Sequence, residues 1–509
     1  MRLGIAKSVK ALSAAAAFGA VCGSMWTASA ATLAVDLNFG GGDGWRAPFE
    51  VIAGDVAGTT APDPVSATPV YKFMGNGLST ANYPASAINP GNTERGLAFN
   101  ATTGNLLLVS RGTGEDRIRI LDSATGADKG SLNMTGVAGG SFAMNMIGVA
   151  DDGVIYMANL TTDLNASAYK VYRWANEAAV PTVAYIGGGA GNPAPPLAGA
   201  RLGDSFDVIG SGANTRLVAG YGSTPAIPAT SGFALFDTDD GSTFTATSVG
   251  VTSSAPFTTI PTGEFRLGVT FIDSDTVMGK SSINPASVVD VTGANGTVVA
   301  QHSTDGITLR PMDFAVVDGR PLMAMVEASS GQNEASRARI FVYDMTDPSL
   351  PLAQRKLGEA TALPFTAGGP NQFANGNSVG QVKFGAITGN SAEIFSMSTN
   401  NGIQKFTLTF DPVVPPVVDA DFNGDLIVDG ADFLIWQRGF GLSAQADKST
   451  GDADGDGNVN DADLAAWKTQ FGTIITPPTP VSAVPEPATI CLAAFGMICL
   501  AGLRKNRTI

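Results

Sequence analysis

Cysteine is almost missing from this chain. Only Cys22, Cys491 and Cys499 occur in 509 residues, and all three lie in apolar stretches near the two ends. Once those ends are removed no thiol remains, which excludes disulfide staples, cysteine nucleophiles and zinc–thiolate sites. Histidine is scarcer still. His302 stands alone, so multi-histidine metal centres are excluded. A Ser-His-Asp triad would have to use it, and no nucleophile-elbow pattern accompanies it; a structural role is expected. Charged residues make up only 15% of the chain, and acids outnumber bases to leave a net charge of −15. That balance argues against nucleic acid as a partner. Glycine is abundant, with 62 residues, as expected of a turn-rich, mainly β protein.

Long apolar runs are confined to the ends. Arg2, Lys7 and Lys10 form a basic head, Ala11 to Val21 is uncharged, and Ala28-Ser29-Ala30 supplies small residues for a signal peptidase. Residues 1–30 therefore read as a signal peptide cleaved after Ala30, with Ala28 and Ala30 at the recognition positions. The run is too short for a membrane span, and Val21 before Cys22 argues against a lipoprotein. At the other end Pro477, Pro478 and Pro480 stiffen a linker over 474–483. Then come Pro485-Glu486-Pro487, sixteen uncharged residues from Ala488 to Leu503, and a basic tail of Arg504, Lys505 and Arg507. As a transmembrane helix the sixteen would reach ~24 Å, short of a ~30 Å hydrocarbon core unless the flanking cations snorkel. The basic tail is expected to stay cytoplasmic.

This order of Pro-Glu-Pro, apolar helix and basic tail over 484–509 resembles the PEP-CTERM sorting signal of Gram-negative bacteria. The resemblance implies an exosortase-type enzyme that cuts near Pro485-Glu486-Pro487. It also implies a membrane anchor before processing, and delivery to the cell surface or extracellular matrix.

A second concentration of chemistry spans 419–473, behind a short Pro/Val linker at 413–418. Eleven aspartates stand there against Arg438, Lys448 and Lys468. Asp421, Asn423, Asp425, Asp429 and Asp432 fall at positions 1, 3, 5, 9 and 12 of a twelve-residue loop, with the carbonyl of Ile427 at position 7. Asp452, Asp454, Asp456, Asn458, Asn460 and Asp463 repeat the scheme. Calcium takes six to eight oxygens, and this is the spacing of an EF-hand loop. Each loop leads into a helix with Trp and Phe four apart, Trp436/Phe440 and Trp467/Phe471, closed by Gly441 and Gly472. The duplicated pattern resembles a type I dockerin, a small α-helical EF-hand pair, and implies two Ca2+ sites. Leu426 stands at position 6 of the first loop, where glycine is usual, so that site is expected to bind more weakly. The resemblance implies a cohesin-like partner contacting Gly430-Ala431 and Asp461-Ala462, although these are not the Ser/Thr pairs common in the family.

Residues 31–412 read as β throughout. Short apolar runs punctuated by Asn, Asp and Gly signal antiparallel meanders. Similar openings recur at Gly96-Leu-Ala-Phe99, Gly148-Val-Ala-Asp151, Gly203-Asp-Ser-Phe-Asp207, Gly268-Val-Thr-Phe271, Met312-Asp-Phe-Ala315 and Gly380-Gln-Val-Lys-Phe384, 44 to 68 residues apart. Later runs echo one another at Val171–Trp174, Phe233–Asp237, Ile340–Asp344 and Ile403–Phe406. A repeated four-stranded unit with insertions predicts a β-propeller of about six blades; a right-handed β-helix or stacked sandwiches are the alternatives. Arg95-Gly96-Leu-Ala-Phe99, its Asn-rich turn and Leu106-Leu-Leu-Val-Ser-Arg111 also resemble an uncharacterised family of secreted bacterial propellers.

Two functions fit. One is a non-catalytic surface or matrix protein whose propeller binds a partner such as a polysaccharide. The other is a surface-anchored carbohydrate-active enzyme, a glycoside hydrolase or lyase, with its active site on the propeller face. The second needs two facing carboxylates, for which Asp151, Asp204, Asp207, Asp273 and Asp313 near the openings are candidates. Turn capping is their commoner role. Arg95, Arg111, Arg266 and Arg310 are candidates for an anionic ligand. The first function is favoured, and no catalytic residue is assigned.

Overall fold

The computed structural model describes residues 31–474 apart from 57–59, 63–68, 72–91, 113–114, 223–230, 282–283, 304–308, 329–337, 348–349, 364–374, 376, 412–417 and 444–445. The expected signal peptide with Ala28 and Ala30, most of both linkers, and the sorting signal with Pro485, Glu486 and Pro487 lie outside the described residues. Among those described, no helix is long and apolar enough to cross a membrane. The chain forms two compact units that part between residues 412 and 413.

The first unit is a β-propeller. Its innermost strands are Glu94–Asn100, Phe142–Val149, Asp207–Ile209, Val269–Asp273, Leu309–Val317 and Gly380–Thr388. Each lies beside the next, and the last returns to the first, closing a ring. All six belong to the recurring openings, and each begins a meander of antiparallel strands running outward. The echoing runs at Val171, Phe233, Ile340 and Ile403 lie in the third strands of four meanders. The recurring openings thus mark the inner strands, and the echoing runs the third ones.

The expected count of six separate blades needs one correction. Four meanders form sheets of their own, but the two that begin at Asp207–Ile209 and Val269–Asp273 fuse into a single nine-stranded sheet. Their outermost strands, Thr245–Thr252 and Asn295–His302, pair in parallel through Gly250↔Asn295, Val251↔Gly296 and Thr252↔Thr297. Patterning reports which residues alternate along a strand. It carries nothing about whether two outer edges hydrogen-bond to each other.

The ring is closed by the start of the chain. Ala31–Val35 pairs antiparallel with Ile403–Phe410 and supplies the fourth strand of the last meander. Lys405, 2% exposed, clasps the junction by reaching Asp36 at 3.0 Å and Glu393 at 2.7 Å. Trp45 donates its indole N–H to the carbonyl of Asn401 at 2.7 Å, and the buried Arg46 pairs with Asp55 at 2.9 Å.

Apolar layers between neighbouring sheets make the core. One holds Tyr169, Tyr185 and Phe236 ring against ring, with Tyr185 and Phe236 edge-to-face at 4.8 Å; aromatic pairs of this kind add ~1 kcal/mol beyond area burial. Another packs Ile340, Val342, Ile394, Phe406 and Leu408. The inner strands converge so closely that a Cβ on Gly268 would stand 1.8 Å from the carbonyl oxygen of Arg310.

His302 ends its strand buried, 4% exposed, with Nδ1 at 2.8 Å from Arg355 Nη2. A guanidinium only donates, so Nδ1 accepts and the ring is neutral. Burial, and then the charge of Arg355, push its pKa down from 6.5 to about 4. Between pH 6.5 and 4 the unfolded chain therefore binds a proton that the folded one refuses. The stability from keeping His302 neutral is whole above pH 6.5 and is lost as pH falls toward 4, by up to ~1.4 kcal/mol per pH unit. Urea unfolding of wild type and His302→Asn at pH 7 and pH 5 checks this. The variant is expected to lose less stability than wild type over that interval, and equal losses would refute it.

Candidate functional site

Inside the ring, one ammonium ties three strands together. Lys383 Nζ lies 2.8 Å from Asp207 Oδ1 and 2.9 Å from Asp313 Oδ1, with all three side chains buried. The second oxygen of Asp207 accepts from Thr270 Oγ1 and the Phe271 amide, both at 2.9 Å. That of Asp313 accepts from the Phe384 amide at 2.8 Å. Four of the six inner strands meet in this network. Burial alone would lower the Lys383 pKa, but the two carboxylates outweigh it and hold it above its ordinary value. Asp207 and Asp313 do not face each other across an open cleft; they share a cation.

At the N-terminal ends of the inner strands lies a second, largely cationic cluster. Arg201 forks onto Asp204, with Nη2 at 2.8 Å from Oδ1 and Nε on Oδ2, while Arg266 Nε stands 3.1 Å from the same Oδ2. Arg95 is 8% exposed; with the Asn377 amide oxygen turned toward it, Nη1 and Nη2 donate at 3.2 and 2.6 Å. Burial lowers the pKa of Arg95 to about 10 even with Asp204 and Glu94 nearby. Glu264 accepts from the Ser281 amide and from Asn284 Nδ2, at 3.0 and 3.1 Å. Buried Lys280 donates to the Asn284 carbonyl, and burial brings its pKa down to about 8.

The candidate carboxylates thus part company. Asp204 belongs to the cationic mouth, and Asp207 and Asp313 to the lysine-bridged network. Asp151 is exposed just past the end of its inner strand, and Asp273 accepts the Asp275 amide at 2.8 Å in a turn. Of the four arginines, Arg95, Arg266 and Arg310 reach the mouth, whereas Arg111 stacks 4.1 Å over the ring of exposed Phe142. Sequence reading passed over Arg201, Lys280, Glu264 and the bridging role of Lys383. Only Lys383 carried a signal, its place in the opening Gly380-Gln-Val-Lys383-Phe384.

The second unit contains helices α1 (Gly430–Gly439) and α2 (Asp461–Gln470). Each starts in a capping box: Asp429 accepts from the Ala431 amide at 2.7 Å with Asp432 reaching back, and Asn460 accepts from Ala462 at 2.7 Å with Asp463 reaching back. The two halves exchange equivalent bonds. Trp436 Nε1 donates to the Asn460 carbonyl and Trp467 Nε1 to the Asp429 carbonyl, both at 2.9 Å. Val428 and Val459 are fully buried among Phe422, Ala453 and Trp436.

In the second loop, carboxylate oxygens of Asp452, Asp454 and Asp463 all lie within 4.8 Å of one another. Asp452 accepts from the Gly455 and Gly457 amides, and Asp463 from those of Ala453 and Asn460. Burial, and then the charges of Asp456, Asp463 and Asp452, push the pKa of Asp454 up. In the first loop Asp421 likewise accepts from Gly424, Asp425 and Leu426, and Asp432 from Asn423 and Asp429. Leu426 sits at φ +72°, the left-handed conformation its counterpart Gly457 adopts at +81°. A side chain there costs of order 1 kcal/mol.

A closed ring of β-meanders with a polar interior and a charged mouth defines a β-propeller. Residues 62–350 match the domain of unknown function DUF4623, more than half of the sequence, and the chain belongs to that family. Residues 483–505 match the PEP-CTERM protein-sorting motif, which implies export, a membrane-anchored sorting signal and processing by an exosortase. No curated protein matches the sequence. Among solved structures, a DUF4623 family protein from Bacteroides eggerthii is similar at 17% identity and TM-score 0.48, over 65% of this chain and 73% of that one. A gluconolactonase from Xanthomonas campestris aligns at 13% identity and TM-score 0.35, over 63% and 86%. An α-L-arabinanase from Penicillium chrysogenum, complexed with arabinobiose, aligns at 12% identity and TM-score 0.38, over 64% and 95%.

Truncating the shared cation would leave two buried carboxylates without their counter-charge. Lys383→Ala is expected to lower the unfolding free energy by about 3–5 kcal/mol, as when one partner of a buried ion pair is removed. The combined Asp207→Asn/Asp313→Asn/Lys383→Met chain is expected to recover much of that loss. Urea midpoints of the two chains provide the comparison, and a Lys383→Ala loss below ~1 kcal/mol would refute the bridging role.

Proposed function

We propose that this protein is a non-catalytic surface or matrix component, in which the propeller binds and a calcium-bound, dockerin-like module stiffens or docks beside the sorting signal. The observation that carries the reading is the Asp207–Lys383–Asp313 network. Glycoside hydrolysis needs one carboxyl to give a proton and another to act as base or nucleophile. Here the best-placed interior pair is committed to an ammonium and to backbone amides, with bond lengths of 2.8–2.9 Å. Release of sugar from a glycan panel, abolished by Asp313→Asn, would overturn this and favour the carbohydrate-active alternative. Binding without turnover is the expected result.

The acidic loops fit calcium by their donor chemistry. Asp452, Asp454, Asp456, the Asn458 carbonyl, Asn460 and Asp463 would hold one ion. Asp421, Asn423, Asp425, the Ile427 carbonyl, Asp429 and Asp432 would hold the other. Bound calcium supplies positive charge that joins each loop to the helix after it, which hydrogen bonds among like-charged carboxylates cannot do. A cohesin-like partner would meet the exposed helix starts at Gly430-Ala431 and Asp461-Ala462.

Calorimetry of the purified full chain, with calcium or with excess chelator, tests the metal. The chelator is expected to remove or lower one transition, that of the helical unit, and to leave the propeller transition in place. An identical trace would refute the calcium sites. Leu426→Gly, which removes a side chain from a left-handed position, is expected to tighten the weaker site by about three- to tenfold, a gain of roughly 1 kcal/mol.

A further inference from the structure

The mouth of the ring holds more positive charge than its carboxylates answer. Arg95, Arg201, Arg266, Arg310 and Lys280, five cations, are linked by mutual electrostatic influence to three carboxylates, Asp204, Glu94 and Glu264, in a chain whose net charge is −15. Asp204 is already divided between Arg201 and Arg266, and Glu264 is engaged by Ser281 and Asn284.

Arg310 is the residue left over. It is half-buried, and among the described residues its guanidinium makes no hydrogen bond or ion pair; its Nε is enclosed without an acceptor. Burial, and then the neighbouring Arg266, push its pKa down. Nine-tenths-buried Arg95 repeats the pattern, with its terminal nitrogens on a neutral amide and its Nε without a partner. An arginine cannot escape burial by losing its proton, so an unanswered one costs free energy until an anion arrives. A guanidinium presents a planar fork that suits an oxyanion with two or more oxygens. Exposed Phe142, roofed by Arg111, starts its inner strand at the same end of the ring and offers an aromatic surface to a sugar ring.

We propose that the channel mouth is a binding site for the oxyanion group of an acidic glycan, a carboxylate or a sulfate, held by Arg310 and Arg266 with Arg95 beneath. The proposal rests on the adhesive reading given above and names its ligand class. Arg310 and Arg266 touch the anion; Arg201 is a positioning residue that shares Asp204 with Arg266 and so leaves Arg266 only partly neutralised.

Titration calorimetry on the purified full chain in calcium buffer tests it. Tri-galacturonate serves as the carboxylated probe, a sulfated dextran oligomer as the sulfated one, and dextran as the neutral control. Acidic probes are expected to bind, dextran not, with affinity falling as salt rises. Arg310→Ala is expected to lose about tenfold or more, and Arg310→Lys, which keeps the charge but not the fork, to lose less. Preference between the two acidic probes identifies the group; binding of either supports the site. Binding of dextran alone would overturn the anion site and leave the adhesive reading standing. Binding of no glycan would overturn both. Acidic binding that Arg310→Ala and Arg266→Ala leave unchanged, at an unaltered melting temperature, would overturn the assignment of the site. If Arg310→Ala does not fold, Arg310→Lys and competition by inorganic sulfate carry the same decision.

Discussion

One ammonium group fixes the middle of this molecule. Lys383 comes from the last inner strand, Asp207 from the third and Asp313 from the fifth, and the Asp207 carboxylate also holds Thr270 and Phe271 of the fourth. A ring of separately pleated sheets has weak intrinsic register, because the inner strands are not hydrogen-bonded to one another as a ladder would be. Charges at fixed heights on three of them, with a hydroxyl and an amide of a fourth hydrogen-bonded to one carboxylate, supply that register. Desolvating three charged groups is expensive, so the network contributes less to net stability than to a single arrangement of the strands. The backbone amides on the second carboxylate oxygens make that arrangement specific.

The same economy runs through the rest of the first unit. Lys405 lies between Asp36 and Glu393, Arg46 on Asp55, and Arg119 on Asp128, so each of these three buried cations has its counter-charge within reach. Two of these pairs hold the returning N-terminal segment where the ring closes. That closing contact joins residues about 370 apart in sequence, so it forms only after the intervening chain is ordered. Against this background of paired charge, the unanswered guanidinium of Arg310 at the channel mouth marks a place where packing alone gives no reason for the residue.

Much of this was legible from the residues. Openings at Gly96, Gly148, Gly203, Gly268, Met312 and Gly380 carried the inner strands, because a buried strand near a crowded axis needs small residues beside alternating apolar ones. Gly268, with 1.8 Å between its would-be Cβ and the Arg310 carbonyl, shows the steric reason. The third strands were legible through their aromatic ends, Trp174, Phe236 and Tyr343. What escaped was whatever depends on partners distant in sequence. Lys383 bonds residues 176 and 70 positions away, and the parallel pairing of Thr245–Thr252 with Asn295–His302 leaves no trace in either strand's own pattern. Arg201 and Lys280 sit in unremarkable local sequence and acquire meaning only beside Asp204 and Glu264.

The two units solve opposite electrostatic problems. The propeller buries many of its charges in opposed pairs, among them those that hold its inner strands and its closing segment. The helical unit instead aligns like charges: three carboxylates lie within 4.8 Å in its second loop, and burial, then the neighbouring carboxylates, push Asp454 up. Its apolar core is small, with Phe422, Val428, Trp436 and Val459 at its centre. A core of that size buries too little surface to offset such repulsion over a wide range of conditions. On the proposed calcium reading, stability in the second unit would follow the divalent cation in the medium, while stability in the first follows packing. If the proposed sites bind calcium, an exported chain would meet that ion at high concentration only after export, and its helical unit would become rigid there and not before.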